Sequence, residues 1–72
     1  MKNHWVLKCE DFENFGVDVY IESYKTDKRG DIETFHVTSD VNKAQRFAKK
    51  KALSLSDEIY LSFCDDFIVI EV

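Results

Sequence analysis

Residues 38–63 read TSDVNKAQRFAKKKALSLSDEIYLSF, and the fold class turns on this stretch. Thr38, Ser39 and Asp40 are three capping side chains in a row, whose oxygens accept hydrogen bonds from the unpaired N–H groups of a helix start. Behind them Val41, Ala44, Ala48, Ala52, Leu55 and Ile59 recur at steps of three and four, the period of one apolar helical stripe. The pattern predicts a helix that begins within two residues of Asp40 and packs Val41, Ala44, Ala48, Ala52 and Leu55 against a sheet. On that reading Ala48→Asp buries an unpaired carboxylate and is strongly destabilising.

One helix from Val41 to about residue 62 fits, and so does a short helix to Phe47, a kink and a second helix. Ser54 and Ser56 are weak helix formers, and Leu53 and Leu61 lie off the stripe. Ile59, Leu61 and Phe63 also alternate as a strand would, but Ala52, Leu55 and Ile59 carry the helical phase through this segment and favour helix.

Outward from this stretch the period is two. Trp5, Leu7 and Cys9 alternate with His4, Val6 and Lys8, a strand. Glu10 to Gly16 is a polar connection carrying Phe12 and Phe15. From 17 to 24, Val17, Val19 and Ile21 point one way and Asp18, Tyr20, Glu22 and Tyr24 the other. Thr26 to Asp31 is a turn in which Gly30 supplies a positive φ. The strand from Ile32 to Thr38 returns as the second arm of an antiparallel hairpin, with Phe35 and Val37 opposite Ile32, Thr34 and His36. Asp65-Asp66 ends the helical stretch. Phe67-Ile68-Val69-Ile70-Glu71-Val72 is a final strand, apolar on both faces for four residues, the pattern of an interior strand. The order is β-β-β-α-β. The expected fold is α+β: an antiparallel sheet of about four strands with one helix, straight or kinked, on one face.

Seventy-two residues make one domain, 1–72. So short a chain buries only about 60 % of its unfolded surface, and six Phe, three Tyr and one Trp enlarge the contact made per residue. Pro is absent and Gly occurs twice, so no linker or low-complexity tract interrupts it.

The capped and alanine-bearing pattern Thr38-Ser39-Asp40…Lys43-Ala44…Phe47…Ala52, closing on Phe67–Val72, resembles small uncharacterised proteins of Gram-positive bacterial phages and prophages, over about half of the chain. The resemblance implies a phage accessory or host-interaction protein. It brings no catalytic residue with it.

Five of the ten basic residues, Lys43, Arg46, Lys49, Lys50 and Lys51, sit within nine positions of a chain whose formal net charge is −4. Subtracting those five positive charges from −4 leaves −9 on the remainder. Such asymmetry speaks of partners. On one helix, Lys43, Arg46 and Lys50 fall opposite the apolar stripe with Lys49 at its flank, a row able to follow phosphates. The same row is also the ordinary solvated face of an amphipathic helix. A pI near 5.0 argues against general nucleic-acid binding.

Tyr20 and Tyr24 share a strand face with Asp18 and Glu22. If the helix covers the other face, these four make an acidic surface with aromatic anchors, suited to docking on a basic protein. No nucleophile–base pair, phosphate loop or ligand spacing occurs. Cys9 and Cys64 lack a second ligand nearby and read as thiols in a reducing compartment, with a single disulfide between them as the alternative, His4 and His36 lie on separate strands, and Asp65-Asp66 and Glu10-Asp11…Glu13 read as polar turn and loop. The expectation is no enzyme, no cofactor and no metal. No apolar run approaches membrane length, and Met1-Lys2-Asn3-His4-Trp5 lacks a signal-peptide core, so no membrane association and a cytoplasmic location in the bacterial host are expected. The leading functional expectation is a protein-interaction domain, a phage-encoded modulator of a host or defence protein that acts by occlusion. A nucleic-acid-binding accessory protein is the alternative, and a small-molecule binder with a pocket between protomers is a third class.

Overall fold

The computed structural model describes residues 4–12 and 16–72. The readings placed on Met1–Asn3, Glu13 and Phe15 lie outside the described residues. The elements are β1 (Trp5–Cys9), β2 (Val19–Thr26), β3 (Ile32–Thr38), a 3-10 turn (Val41–Lys43), α1 (Lys49–Phe63) and β4 (Ile68–Glu71). The strands form one antiparallel sheet in the order β3-β2-β1-β4. The fold is therefore α+β, with one α-helix among the described residues, resting on β1 and β4.

The β1–β4 pair is regular: Trp5 faces Glu71, Val6 faces Ile70, Leu7 faces Val69 and Lys8 faces Ile68. Leu7 and Val69 join the main core, while Val6 and Ala44 are buried outside it. The β2–β3 hairpin is not regular. Ile21 pairs with Val37, but Ser23 pairs with His36, so Glu22 is an extra residue on β2. Lys25 pairs with Thr34 and Thr26 with Ile32, so Glu33 is an extra residue on β3. Each bulge shifts the alternation by one, and the two offset one another along the hairpin. Ile32 is thereby carried to the core face with Phe35 and Val37, correcting the expectation that it lies opposite them. In the turn, Asp27 Oδ1 accepts the N–H groups of Arg29 (2.9 Å) and Asp31 (3.1 Å), and Gly30 takes φ +89°.

The helix does not begin at Asp40. Asp40 does cap, accepting the Asn42 N–H at 2.9 Å, but it caps only the 3-10 turn. The physical reason lies in the sheet. β1 and β2 pair over two residues, Cys9↔Val19 and Lys8↔Tyr20, and then diverge. The segment after the turn fills the opening. Gln45 N–H donates to Ile21 O (2.9 Å), Phe47 N–H donates to Trp5 O (2.8 Å), and Trp5 N–H donates to Phe47 O (3.1 Å). Backbone groups engaged by two strands cannot also close helical turns, so tertiary pairing overrides the good helix formers Lys43 to Arg46. Phe47 is drawn into the core beside Tyr24, ring centres 6.2 Å apart.

The helix that does form starts at Lys49, with Ala48 as an N-cap that offers no side-chain bond. Burial holds it in place of caps. Ala52, Leu55 and Ile59 face the sheet, together with Phe67 just before β4. Each of the larger side chains contributes roughly 1.5–3 kcal/mol on burial. Residues 59–63 are helical, as the phase of Ala52, Leu55 and Ile59 implies. Cys64 ends the helix in the left-handed region at φ 61°, its N–H donating to Tyr60 O. The strand with interior-like sequence, β4, stands at an edge of the sheet, and β1 is interior instead.

Candidate protein-binding surfaces

The bulge at Glu22 divides the residues of the expected sheet-face site. Tyr20 is half-buried and pairs with Thr38 and Lys8 on the face away from the helix. Tyr24, beyond the bulge, packs into the core. The two tyrosines therefore do not share a face, and the expectation of paired aromatic anchors is corrected. Glu22 is exposed at the bulge. Asp18, just before β2, lies 3.5 Å from Lys8 Nζ, which also reaches Glu10 at 3.7 Å.

Asp18 belongs to a different cluster. Its Oδ1 accepts the Asp11 N–H at 3.3 Å, in the connection between β1 and β2. Because Lys8 pairs with Ile68, the end of β1 lies beside the start of β4. The loop after β1 and the loop after α1 consequently meet. Cys9, Glu10, Asp11, Cys64, Asp65, Asp66 and Ile68 line a hollow of about 420 Å³. Burial pushes the Cys9 thiol up from its ordinary range, and the charges of Asp65, Asp66, Asp11 and Asp18 push it further. Lys8 is the one cation paired with this group among the described residues. Exposed Val17, in the connection before β2, and Phe63, the last residue of α1, supply apolar surface near the two ends of these connections. Sequence inspection read Glu10-Asp11 and Asp65-Asp66 as separate polar turns. Only the pairing of β1 with β4 brings them together, and no spacing announces it.

The cationic residues are also rearranged. Lys43 lies on the 3-10 turn, Arg46 in the extended segment, and Lys49, Lys50 and Lys51 in the first turn of α1. A single helical row of Lys43, Arg46 and Lys50 is not formed. The five remain gathered before and at the start of α1, all exposed, and none pairs with a carboxylate among the described residues. Lys49 Nζ stands 5.1 Å from the ring centre of Trp5, which is half-buried against the core. Positive charge at a helix start opposes the helix dipole, and no acidic residue offsets it in the first turn.

A second hollow, of about 630 Å³, lies beneath the hairpin turn and is lined by Thr26, Asp27, Lys28, Arg29 and Glu33. Its Arg29 is already engaged by Asp27 and Asp31 at 3.9 and 3.6 Å. His4 and His36 are exposed, outside β1 and opposite Ser23 respectively. Among the described residues no helix is long and apolar enough to cross a membrane. Comparison with protein-family models, curated proteins and solved structures returned no match.

Proposed function

We propose that this chain is a non-enzymatic protein-interaction domain that docks on a cationic protein surface and acts by occlusion. The supporting observation is the acidic hollow at the junction of the two connections, where Glu10, Asp11, Asp65 and Asp66 converge beside Ile68. Carboxylates held together by the backbone of two loops keep their repulsion in the free protein. A partner bearing Lys or Arg relieves it, which steers encounter and selects against acidic surfaces. In the setting that the sequence resemblance implies, the chain is a phage-encoded modulator and the partner a host or defence protein. The acidic site proposed here retains Asp18 through its bond to Asp11 and leaves Tyr24 out.

The test is capture from bacterial lysate, with and without nuclease, at low and high salt. The wild-type chain is expected to retain a protein partner after nuclease treatment, and Asp65→Lys with Asp66→Lys is expected to lose it while circular dichroism stays unchanged. Retention by that variant refutes the acidic site.

A nucleic-acid reading has one observation in its favour: Lys43, Arg46, Lys49, Lys50 and Lys51 are free of acidic partners among the described residues. It requires nuclease-sensitive, steeply salt-dependent binding that Lys49→Glu with Lys50→Glu abolishes.

A further inference from the structure

Two thiols that no sequence spacing connects meet at one end of the fold. Cys9 is the last residue of β1 and Cys64 the C-cap of α1. Both are free, and both line the acidic hollow of about 420 Å³. The pairing of β1 with β4 brings them there. Lys8 pairs with Ile68, so Cys9, one step on, stands beside Phe67. Cys64 precedes Phe67 by three residues, a length that spans at most about 11 Å. Cys9 belongs to the core cluster with Leu7, on the face that α1 covers. The helix ends over that same face, with Phe63 edge-on to Phe35 at 5.0 Å between ring centres. The two side chains therefore stand on one side of the sheet. Cys9 is buried, and its thiol has only a weak contact, 3.9 Å to Glu10 O. Cys64 is exposed and holds φ 61°, a region uncommon for a residue with a β-carbon and usually left to Gly or Asn at a helix end. Residues 64–67 lie outside helix and strand, so Cys64 can shift without unpairing either element.

We propose that Cys9 and Cys64 are a redox pair, oxidised to one intramolecular disulfide by a small disulfide and reopened by a small thiol. Cys64, the exposed partner, reacts first. Its thiolate attacks one sulfur of the reagent R–S–S–R, the reagent's S–S bond breaks, and RS⁻ leaves. The Cys9 thiolate then attacks the Cys64 sulfur of the mixed disulfide and expels the second RS⁻. Two protein thiols are oxidised and one reagent disulfide is reduced to two thiols. The two protons given up by the protein pass through solvent to the two RS⁻. Excess small thiol runs the same steps backwards.

The setting selects the reagent. Glu10, Asp11, Asp65 and Asp66 line the hollow, Asp18 accepts the Asp11 N–H, and Lys8 is the one cation paired with this group among the described residues. A cationic disulfide is drawn into this field and an anionic one is repelled. Burial and the same carboxylates hold the Cys9 proton, so the closing step is slow at neutral pH and quickens as pH rises. The closed bond ties the end of β1 to the end of α1 and holds Asp65-Asp66 against Glu10-Asp11. It constrains the unfolded chain and stiffens the acidic site. The pair works in the isolated chain and does not depend on partner docking.

Mass spectrometry and urea denaturation of the whole purified chain test the pair. Cystamine, a cationic disulfide, is expected to convert the chain to a monomer lacking two hydrogens, with Cys9 and Cys64 joined in its proteolytic digest, and dithiothreitol to restore it. Oxidised glutathione, an anionic disulfide, is expected to react at least ~10-fold more slowly. Asp65→Asn with Asp66→Asn is expected to narrow that difference. Cys9→Ser is expected to stop at the mixed disulfide on Cys64, and Cys64→Ser to react only slowly. The oxidised chain is expected to unfold at a higher urea concentration than the reduced chain. A wild-type chain that stops at the mixed disulfide overturns the proposal. So does one that instead links to a second copy through Cys64, or an oxidised form that unfolds at lower urea than the reduced form. Equal rates with the two reagents overturn it as well. A chain that closes its disulfide yet captures no partner refutes the docking reading alone.

Discussion

The β1–β4 pair and the β2–β3 hairpin belong to one sheet yet obey their sequences differently. In β1–β4 every residue keeps the face that alternation assigns, and neighbouring residues Val6 and Leu7 are both fully buried, on opposite faces. In β2–β3 two glutamates are pushed out as bulges, and the inward set becomes Ile21, Tyr24, Ile32, Phe35 and Val37 in place of a strict every-other-residue series. A bulge lets a strand hold its pairing while it changes which residues face the core. It also bends the strand, and β2 bends where it must part from β1: Glu22 follows Ile21, whose carbonyl is handed to Gln45.

The largest expected effect tests that difference directly. Tyr24→Ala should destabilise by about 2–3 kcal/mol, because it empties a space between Phe47 and the rest of the core. Tyr20→Ala, at a half-buried position on the other face, should cost about 1 kcal/mol or less. Urea denaturation of the two variants measures both. Equal losses would mean that the hairpin keeps simple alternation and that the comparison between the two pairs fails.

A change to α1, the element that spans both regions, should move them together. Ala48 has extended backbone geometry at the N-cap (φ −67°, ψ 151°) and no capping side chain. Ala48→Asp should therefore stabilise by about 1 kcal/mol, by accepting a first-turn N–H and placing a carboxylate beside three lysines. The helical stripe read from sequence predicts the opposite sign. A thermal scan decides between them, and a lowered midpoint would return Ala48 to the dry core.

The smallest effect is expected at Cys9, the last residue of β1. Its thiol is pushed above the ordinary 9.0 by burial first and then by the carboxylates around it. Thiolate is the nucleophile, so exposed Cys64 should be alkylated first at neutral pH and Cys9 only slowly. The folded state also holds the Cys9 proton more tightly than the unfolded state. Its contribution to stability is thus fully present below pH 9.0 and is lost as pH rises through the raised value. Rapid alkylation of Cys9 in the native chain, or stability that rises across that window, would show that the acidic junction is looser than β1–β4 pairing implies.

How much could be read in advance differs by element. The strands and their succession along the chain follow from two-residue alternation and turn residues, because those signals are local. Ala52, Leu55 and Ile59 were legible as core for the same reason. The start of α1 was not, since Asp40 is a sound cap and Lys43 to Arg46 are good helix formers. Nothing local shows that Gln45 and Phe47 will be claimed by β2 and β1. The candidate sites fared likewise. The cationic residues lie within nine positions and stayed together. The acidic hollow unites residues more than fifty positions apart and had no sequence signal.

By itself, the sequence determined the α+β class, the hairpin, the core face of the helix beyond Ala48 and the segregation of charge. These depend on periodicity and composition, which act over a few residues. Tertiary structure decided the bulges at Glu22 and Glu33, the insertion of residues 45–47 between β1 and β2, the edge position of β4 and the meeting of Glu10, Asp11, Asp65 and Asp66. Each of these depends on which distant backbone groups find one another. That choice is made by the burial and hydrogen bonding of the whole chain together, and a local stretch does not encode it.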